Sequence, residues 1–311
     1  MLEALPLSSA EAMTTANGST RARECTYFTN DNGHVAGLFE TTTLGTSVVW
    51  YIDRILAIDA WNHGDSAILN RAKLTGNAAA DIIDVLEQLQ VRSALVGVGH
   101  SFGATTLLLA ELMRPALLDA ILAMEPVLAY DLLAFEQANF NYILRRKAAW
   151  PSADHADQHV ARHPYFRKWD PRVRRLYRAH ALTTSAPQSS QPSSGNTNRP
   201  CAPASIHLKC HPRDEFATYR GGYIDGRWTT DHLGEIICPV RFLLGEWSTA
   251  CPNDKFARAH ASASLLSDAA VAKASSHLLL MESPDTVAQV LVSFLQHAFD
   301  VRARLELRAK L

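Results

Sequence analysis

The part of the sequence with the clearest chemistry is a serine that stands between two glycines. Residues 99–103 read G-H-S-F-G, and the apolar run of residues 95–98 comes directly before them. A sharp turn from a buried strand into a helix would force Ser101 into a strained backbone and expose its hydroxyl. A serine hydroxyl is a weak nucleophile by itself, so such a serine needs a base within hydrogen-bonding distance. The pattern therefore predicts a nucleophilic Ser101, and the alternative is an ordinary Gly-Ser turn.

The glycines of this motif, Gly99 and Gly103, are expected to leave room where a Cβ atom would collide with the strand or the helix on either side. Residues 105–112, which read T-T-L-L-L-A-E-L, have the apolar content of a helix that follows the turn. The five-letter pattern alone also occurs by chance, so this strand-to-helix context is what makes the motif informative.

Strand-like and helix-like patterns alternate on both sides of the motif. The strand-like runs lie at residues 54–59, 95–98, 120–124, 240–245 and 277–281, and the helix-like runs at 81–90, 105–112 and 284–299. Strands that alternate with helices favour a mostly parallel sheet. The sequence therefore predicts an α/β fold with a mostly parallel central sheet.

The pattern changes between residues 130 and 235, which predicts a helical lid inserted between two parts of the core. Residues 132–150 and 153–163 look helical, and residues 183–203 are rich in Ser, Pro and Asn, which predicts disorder. The predicted organisation is a poorly patterned segment at 1–26, core at 27–129, lid at 130–235, core at 236–300 and a tail at 301–311.

Three motifs give the chain a resemblance to a known superfamily. Residues 58–66 (I-D-A-W-N-H-G-D-S) are similar to a D-x-R-G-x-G-x-S turn, and they occur together with the serine motif and with M-E-P-V at 124–127. The chain thereby resembles the α/β-hydrolase superfamily over about residues 27–300. With W-D-P-R-V at 169–173 and L-K-C-H-P at 208–212, it is similar to the fungal peroxisomal hydrolases of AK-toxin-type host-selective toxin biosynthesis.

The resemblance implies the α/β-hydrolase fold and a small acyl substrate in secondary metabolism. It also implies an antiparallel pair of strands at the start of the sheet, whereas residues 1–26 are poorly patterned. Either those N-terminal strands are missing, or the sequence lacks its beginning.

A nucleophilic serine needs a histidine that is held in one tautomer, and the chain order in this superfamily is nucleophile, acid, histidine. Among 13 histidines, His277 stands late in the chain, in A-S-S-H-L, shortly before the helix-like run. Its position predicts that His277 is the base for Ser101. The alternative for any one of these histidines is a structural role.

The carboxylate that should orient His277 is not where the resemblance places it. Related enzymes read G-x-x-D after the strand at 240–244, and this chain has Ser248 at the aspartate position. A serine cannot stabilise an imidazolium as a carboxylate does. Glu125 ends the strand after the Ser101 helix, at the sheet edge where sites assemble, and we predict that it is the acid. The alternatives are Glu246 and Asp254 as the acid, and a strand-end cap or ion pair as the role of Glu125.

An oxyanion hole would use the backbone N–H of Phe102, the residue after the nucleophile. A second N–H is expected from the loop of residues 30–35. Related enzymes commonly carry His-Gly in that loop, and this chain has Gly33 followed by His34.

Composition and charge exclude several classes of function. The 311 residues carry a formal net charge of −1, which leaves no electrostatic footprint for a nucleic acid partner. Five cysteines without a C-x-x-C pair favour a reducing compartment. We find no signal-peptide pattern and no apolar run long enough to span a bilayer, and we expect a soluble intracellular protein. The predicted chemistry needs no metal and no organic cofactor.

The last three residues, Ala309, Lys310 and Leu311, are a close variant of the Ser-Lys-Leu peroxisomal signal. They follow a charged stretch at 302–306, which is predicted to lie beyond the last helix. This ending predicts a peroxisomal import receptor as a partner and the peroxisome as the location. The alternative is a cytoplasmic protein with a basic end.

Together these features predict a serine hydrolase that cleaves a small acyl ester or acyl-CoA thioester through an acyl-enzyme. The basic residues at 145–147 and 172–178 are expected to be solvated, and attraction of coenzyme A phosphates is a second interpretation. Two other functions stay open: an acyltransferase, in which an alcohol or amine replaces water, and a binding protein that keeps the fold without the chemistry. Epoxide hydrolase and dehalogenase chemistry is disfavoured because it uses a carboxylate where this chain has Ser101.

Overall fold

The computed structural model describes residues 54–60, 62–69, 77–91, 95–128, 141–184, 205–248 and 267–308, together with five short strands between residues 3 and 40. These residues group into two compact units, Met1–Val91 and Arg92–Leu311. The first unit contains β1 Glu3–Ala4, β2 Met13–Thr14, β3 Thr20–Arg21, β4 Cys25–Thr29, β5 Val35–Glu40, β6 Arg54–Ile58, α1 Gly64–Leu69 and α2 Ala78–Gln88.

In the first unit, β1, β4, β5 and β6 form a sheet in that order. All three pairings are antiparallel, with Tyr27 opposite Gly37 and Leu38 opposite Leu56. The expectation that an opening antiparallel pair is missing is therefore wrong, because β4 and β5 form one. Short strands with weak alternation do not stand out in a sequence pattern.

The turn after β6 is built around a carboxylate. Asp59 accepts a hydrogen bond from the backbone N–H of Asp65 at 2.8 Å, and the Ser66 hydroxyl donates to the Asp59 carbonyl at 3.2 Å. Gly64 has φ +50°, and a Cβ atom there would overlap the Asp59 carboxylate. The motif at 58–66 therefore leads into helix α1, and it needs a glycine at position 64, where φ is positive and a Cβ atom has no room.

The second unit contains a parallel sheet of four strands among the residues described, in the order β13-β12-β8-β7. Each neighbouring pair is parallel. The bounds of its strands and of the helices that follow them are β7 Val96–His100, α3 Phe102–Met113, β8 Ala120–Met124, β12 Val240–Gly245, β13 Asp268–Ala272, α9 Leu279–Glu282 and α10 Pro284–Arg308. The predicted mostly parallel sheet is confirmed in this unit.

The middle of the sheet is covered on both faces. On β8, Ile121 and Ala123 pack with the helix α3 residue Leu108, whereas Leu122 packs with Leu279 and Phe294 on the other side. Every residue of β8 is buried, which explains its continuous apolar sequence. Helices thus cover both faces of the sheet. Because its strands all run in the same direction, their carboxyl ends lie at one edge.

Two expectations near the end of the chain are wrong. Residues 277–281 are not a strand, because Leu279–Glu282 is the short helix α9 and the edge strand is Asp268–Ala272. The run at 277–281 is apolar because Leu279 is fully buried, and a short apolar run does not distinguish a strand from a helix. The last helix also does not end near residue 299: α10 runs to Arg308, so the segment predicted as a tail is mostly helical.

The segment predicted as a lid is helical where it is described, and it carries a small antiparallel sheet that the sequence analysis missed. Its elements are α4 Asn141–Leu144, β9 Ala149–Trp150, α5 Ala153–Arg162, α6 Pro164–Arg167, α7 Pro171–His180, β10 Leu182–Thr183, β11 Ile206–Leu208, α8 Pro212–His232 and a 3₁₀ turn at Leu233–Glu235. The sheet has the order β10-β11-β9. The predicted helix at 153–163 is confirmed, and the insert expected to be disordered lies outside the described residues from 185 on.

The glycines of the serine motif differ in their surroundings. A Cβ atom at Gly99 would lie 2.6 Å from the Gly103 carbonyl oxygen and 2.7 Å from the Ala104 backbone. A Cβ atom at Gly103 would have no described heavy atom within 4 Å. The collision expected at Gly99 is confirmed. The collision expected at Gly103 is wrong, because the close approach of β7 and α3 leaves no room for a Cβ atom at Gly99 but does not restrict one at Gly103.

We predict opposite results for the two substitutions. Gly99→Ala should lower the free energy of unfolding by about 1–3 kcal/mol, because the methyl group meets backbone that cannot move aside. Gly103→Ala, the matched control, should leave stability unchanged or raise it by up to about 1 kcal/mol, because alanine is the better helix residue. Urea unfolding monitored by circular dichroism measures both. A Gly99→Ala variant as stable as wild type would contradict the close contact of β7 with α3.

Candidate active site

Ser101 lies at the turn between β7 and α3, in a backbone conformation that residues other than glycine rarely adopt. Its φ is 54° and its ψ is −120°. Its backbone N–H donates to the Met124 carbonyl at 2.9 Å, which ties the turn to the end of β8. The strained conformation predicted from the G-x-S-x-G pattern is present, and the surrounding hydrogen bonds hold it in place.

His277 contacts Ser101 through one ring nitrogen and Glu125 through the other. Its Nε2 is 2.9 Å from Ser101 Oγ, and its Nδ1 is 2.9 Å from Glu125 Oε2. A carboxylate accepts, so Nδ1 carries the hydrogen and Nε2 is left as the acceptor for the serine hydroxyl. The structure thus brings together three residues that the sequence analysis named, from positions up to 176 residues apart.

Glu125 is a buried carboxylate that is held by donors from three directions. Only 2% of its side chain is exposed. Besides His277, the Gly245 N–H donates to Oε1 at 2.6 Å and the Ser248 hydroxyl donates to Oε2 at 2.5 Å. Burial by itself would raise the pKa of Glu125, but the hydrogen bonds from these donors outweigh burial and hold the pKa below its ordinary value.

The backbone of Glu125 is also unusual. Its φ is 48°, and its N–H donates to the Leu243 carbonyl at 2.9 Å. In the sheet, Met124 lies opposite His100 on one side and opposite Leu243 on the other. β7 and β8 therefore end at the same level, whereas β12 continues past Leu243 to Gly245. Ser101 and Glu125 leave the sheet side by side, and the Gly245 N–H donates to the Glu125 carboxylate.

Neither alternative acid is placed by the structure at His277. The Glu246 side chain accepts from Lys273 Nζ and from the Ala274 N–H, both at 2.9 Å. It is exposed, and its partners belong to the segment before Ser275. The other alternative, Asp254, lies outside the described residues.

The loop that carries His277 is fixed on both sides of the histidine. Glu282 accepts from the Ser276 N–H at 2.8 Å and from the Ser276 hydroxyl at 2.9 Å. A Cβ atom at Gly245 would overlap the Ser276 carbonyl, so β12 and this loop approach as closely as glycine allows. These contacts restrict the movement of the imidazole relative to Ser101.

His100 is a residue of the site that the sequence analysis did not single out. Its Nε2 donates to the backbone carbonyl of His277 at 2.7 Å, and the two ring centres are 5.1 Å apart. Desolvation by burial lowers the pKa of His100 and outweighs the hydrogen bond to the His277 carbonyl, which acts in the opposite direction. The signal for it was its place beside Ser101 in the motif, but nothing in the sequence showed that it reaches a loop 177 residues away.

Phe102 begins helix α3, so its N–H is one of the helix N-terminal donors that have no partner within the helix. This group lies at the positive end of the helix dipole and next to the Ser101 hydroxyl in the chain. The residues predicted to supply the second donor, Gly33 and His34, lie outside the described residues.

The lid segment contacts the histidine loop. The Asp170 N–H donates to the Met281 carbonyl at 2.8 Å, and Phe166 and Trp169 pack in one cluster with Leu278, the residue after His277. The first turn of α7 is joined to the start of α10 by Arg172, which bonds to Asp285 at 2.8 Å. Part of the lid segment is therefore attached to the same loop that carries the candidate base.

Within the described ranges, no group of three or more His, Cys, Asp or Glu side chains is arranged to hold a metal ion. The lid histidines instead contact aromatic rings, as in the pairs of His159 with Trp150 and with His163. None of the described helices is long and apolar enough to cross a membrane.

The arrangement of Ser101, His277 and Glu125 has the geometry needed for nucleophilic catalysis. A hydroxyl faces the lone pair of a neutral imidazole, and the far nitrogen of that imidazole faces an ionised carboxylate. A proton leaving the hydroxyl can be accepted by the ring, and the positive charge that develops is stabilised by the carboxylate. The N-terminal N–H groups of helix α3 follow Ser101 directly in the chain, and such groups can stabilise negative charge that forms on a substrate.

Comparison with known proteins agrees with this fold. Residues 33–290 match the model of the Alpha/beta hydrolase family. A stretch of 86 residues is 36% identical to the "Peroxisomal membrane protein LPX1" of Saccharomyces cerevisiae, and it covers 24% of this chain and 22% of that protein.

Solved structures are similar over most of the chain. The peroxisomal alpha-beta-hydrolase Lpx1 of Saccharomyces cerevisiae has a TM-score of 0.67 with 15% identity, covering 98% of this chain and 89% of that one. E-2-(Acetamidomethylene)succinate hydrolase has a TM-score of 0.63 with 16% identity, covering 88% and 99%. An esterase of M. tuberculosis has a TM-score of 0.58 with 15% identity, covering 90% and 94%. Since the family model spans most of the sequence and these structures share its fold, the chain belongs to the alpha/beta hydrolase family.

Proposed function

We propose that the protein is a serine hydrolase that cleaves a small acyl ester or acyl thioester through an acyl-enzyme. The observation that carries this proposal is the continuous hydrogen-bonded line from Ser101 through His277 to Glu125, with 2.9 Å on each side of the imidazole. A structural histidine would not need both a buried ionised carboxylate on one nitrogen and a strained serine on the other.

In the proposed reaction, His277 Nε2 takes the proton of Ser101 as the serine oxygen attacks the carbonyl carbon of the substrate. The Phe102 N–H stabilises the tetrahedral oxyanion, with a second donor proposed from Gly33 or His34. His277 then gives its proton to the leaving alcohol or thiol, which departs and leaves an acyl group on Ser101. Water, with its proton taken by His277, releases the acid and restores the serine.

Glu125 takes no proton in this cycle. It keeps Nδ1 protonated, so that Nε2 faces Ser101 as a base, and it stabilises the imidazolium that forms in each half of the reaction. A carboxylate with a lowered pKa is ionised over the whole range in which a neutral histidine can act.

The substrate class is supported by solved structures that share the fold. Among them are an esterase of M. tuberculosis and the thioesterase domain of the curacin biosynthetic pathway. The coenzyme A interpretation is weaker for part of the basic residues, because Arg146, Arg172 and Arg178 are bonded to carboxylates of Glu215, Asp170 and Asp157. We therefore propose an acyl ester or thioester without assigning the leaving group to these arginines.

The biological setting is a further part of the proposal. The resemblance to hydrolases of host-selective toxin biosynthesis is the ground for proposing a substrate of fungal secondary metabolism, and the sequence at Ala309–Leu311 supports import into peroxisomes. The peroxisomal relative of Saccharomyces cerevisiae is consistent with that location. An acyltransferase would share the same acyl-enzyme, and it is separated from a hydrolase by the acceptor that releases the acyl group.

The first test is covalent labelling by an alkyl fluorophosphonate, which modifies an activated serine. We expect stoichiometric labelling of wild type, none of Ser101→Ala, and a rate lower by a factor of about 10²–10⁴ for His277→Ala and Glu125→Gln, because the serine then lacks its oriented base. Glu246→Gln is the matched control and should label at the wild-type rate. Folded wild-type protein that is not labelled would favour the binding-protein alternative.

Acid sensitivity gives a second test, with a sign that follows from the lowered pKa of Glu125. A carboxylate with a lower pKa in the folded state contributes stability above its unfolded-state pKa, and this contribution is lost as the pH falls through the folded-state pKa. Wild type should therefore lose stability relative to Glu125→Gln as the pH falls below about 4. Urea unfolding at pH 7 and pH 3.5 measures the difference. An equal pH dependence of both proteins would show that Glu125 is not held ionised.

Location is tested with a fluorescent protein fused to the N-terminus and expressed in a fungal cell. The full chain should coincide with a peroxisomal marker, and removal of Ala309–Leu311 should leave the fusion in the cytoplasm, since the receptor reads the free C-terminal residues. Replacement of Lys310 by Glu is the length-matched control and should also abolish import. Peroxisomal import of the shortened chain would contradict the assigned signal.

A further inference from the structure

Glu125 Oε2 receives two hydrogen bonds. One comes from His277 Nδ1 at 2.9 Å and the other from the Ser248 hydroxyl at 2.5 Å, while Oε1 accepts from the Gly245 N–H at 2.6 Å. The serine and the imidazole therefore share a single oxygen. Any change at Ser248 is transmitted to the atom on which His277 depends.

Ser248 is placed there by the turn that follows β12. Its N–H donates to the Gly245 carbonyl at 3.1 Å, and the preceding Trp247 N–H donates to the Ser275 carbonyl at 2.9 Å. Ser275 belongs to the loop that carries His277. The turn is thus anchored to β12 at one end and to the histidine loop at the other, and it holds the hydroxyl at a fixed place beside Glu125.

A hydroxyl that donates to a carboxylate forms a charge-assisted hydrogen bond, which is stronger than a neutral one. Such a donor stabilises the ionised carboxylate and withdraws part of its negative charge. The oxygen that faces His277 is then both better oriented and a weaker attractor of an imidazolium. Ser248 makes these contributions without a contact to Ser101.

We propose that Ser248 is a positioning residue of the active site, whose hydroxyl holds Glu125 Oε2 against His277 Nδ1. The inference rests on the proposed function, since it assigns Ser248 a part in the same reaction. It goes beyond the three residues of that proposal, because Ser248 acts through the carboxylate and never through the substrate.

The same geometry has a consequence for the position of the acid. An aspartate side chain extends one bond further than the serine hydroxyl, and Ser248 Oγ already lies within 2.5 Å of the oxygen that contacts His277. If Glu125 is shortened to alanine, the space of its carboxylate becomes free. An aspartate at position 248 can then place an oxygen opposite His277 Nδ1 and take over the role of Glu125.

The experiment measures the rate constant of fluorophosphonate labelling between pH 4 and pH 10 for wild type, Ser248→Ala and Ser248→Thr. Ser293→Ala, which changes an exposed serine on α10, is the control. The hydrogen bond from Ser248 helps to hold the pKa of Glu125 below its ordinary value, so its loss raises that pKa. Glu125 then takes up a proton and stops orienting His277 at a higher pH, which moves the acid limb of the profile upward. We expect its midpoint to rise by about one pH unit in Ser248→Ala.

Ser248→Thr should keep the wild-type midpoint, because threonine retains the hydroxyl. The proposal is overturned if the midpoint in Ser248→Ala equals that of wild type. It is also overturned if Ser248→Ala and Ser248→Thr shift the midpoint equally, because threonine keeps the hydroxyl and the shift would then come from the changed shape of the side chain. These outcomes are distinct from failure of the proposed function, which appears as absent labelling of wild type or continued labelling of Ser101→Ala.

A second comparison remains decisive if Ser248→Ala does not fold. Glu125→Ala with Ser248→Asp should label at least about tenfold faster than Glu125→Ala alone, as expected when a carboxylate again orients the imidazole. A double variant no faster than Glu125→Ala overturns the inference that position 248 lies within reach of His277 Nδ1.

Discussion

Glu125 carries a negative charge at a place where almost none of its side chain meets water, and the surrounding structure supplies what water would otherwise provide. A buried carboxylate without partners would take up a proton, since burial disfavours the charged form. Here a backbone N–H, a hydroxyl and an imidazole N–H occupy its two oxygens. Two donors come from the turn at the end of β12 and one comes from the histidine loop, so the charge can persist only when β8, this turn and the loop are all in place.

The parallel sheet makes this meeting possible. Met124 lies opposite both His100 and Leu243, so β7 and β8 end at one level while β12 between β8 and β13 continues to Gly245. Two residues immediately beyond that level, Ser101 and Glu125, have positive φ angles of 54° and 48°. A shift in the pairing of either neighbouring strand would move one of these side chains away from His277. The strain at both positions is offset by the burial of the sheet between α3 and α10.

The histidine loop is where the core and the lid segment meet. Glu282 and His100 hold this loop from the core side, and Asp170 together with Trp169 contacts it from the lid side. Movement of the lid segment would therefore reach the residues next to His277 directly.

The sequence by itself determined the nature of the fold and the position of the serine turn. Residues 120–124 and 240–245 were assigned with the bounds that the structure has, because fully buried strands are continuous apolar runs. The serine turn was recognisable because its strain and close packing demand particular residue types within five positions. What lies within a few residues in the chain is encoded by local pattern.

The tertiary structure decided the rest. The edge strand Asp268–Ala272 has small, half-exposed residues and no strong pattern, so the more apolar run beside it was taken for a strand. The contact of Glu125 with His277, and the contacts of His100 and Ser248, join segments more than 100 residues apart. Such contacts are set by strand order and pairing in the sheet, which no local pattern contains, and this is the physical reason why the site became visible only in the folded chain.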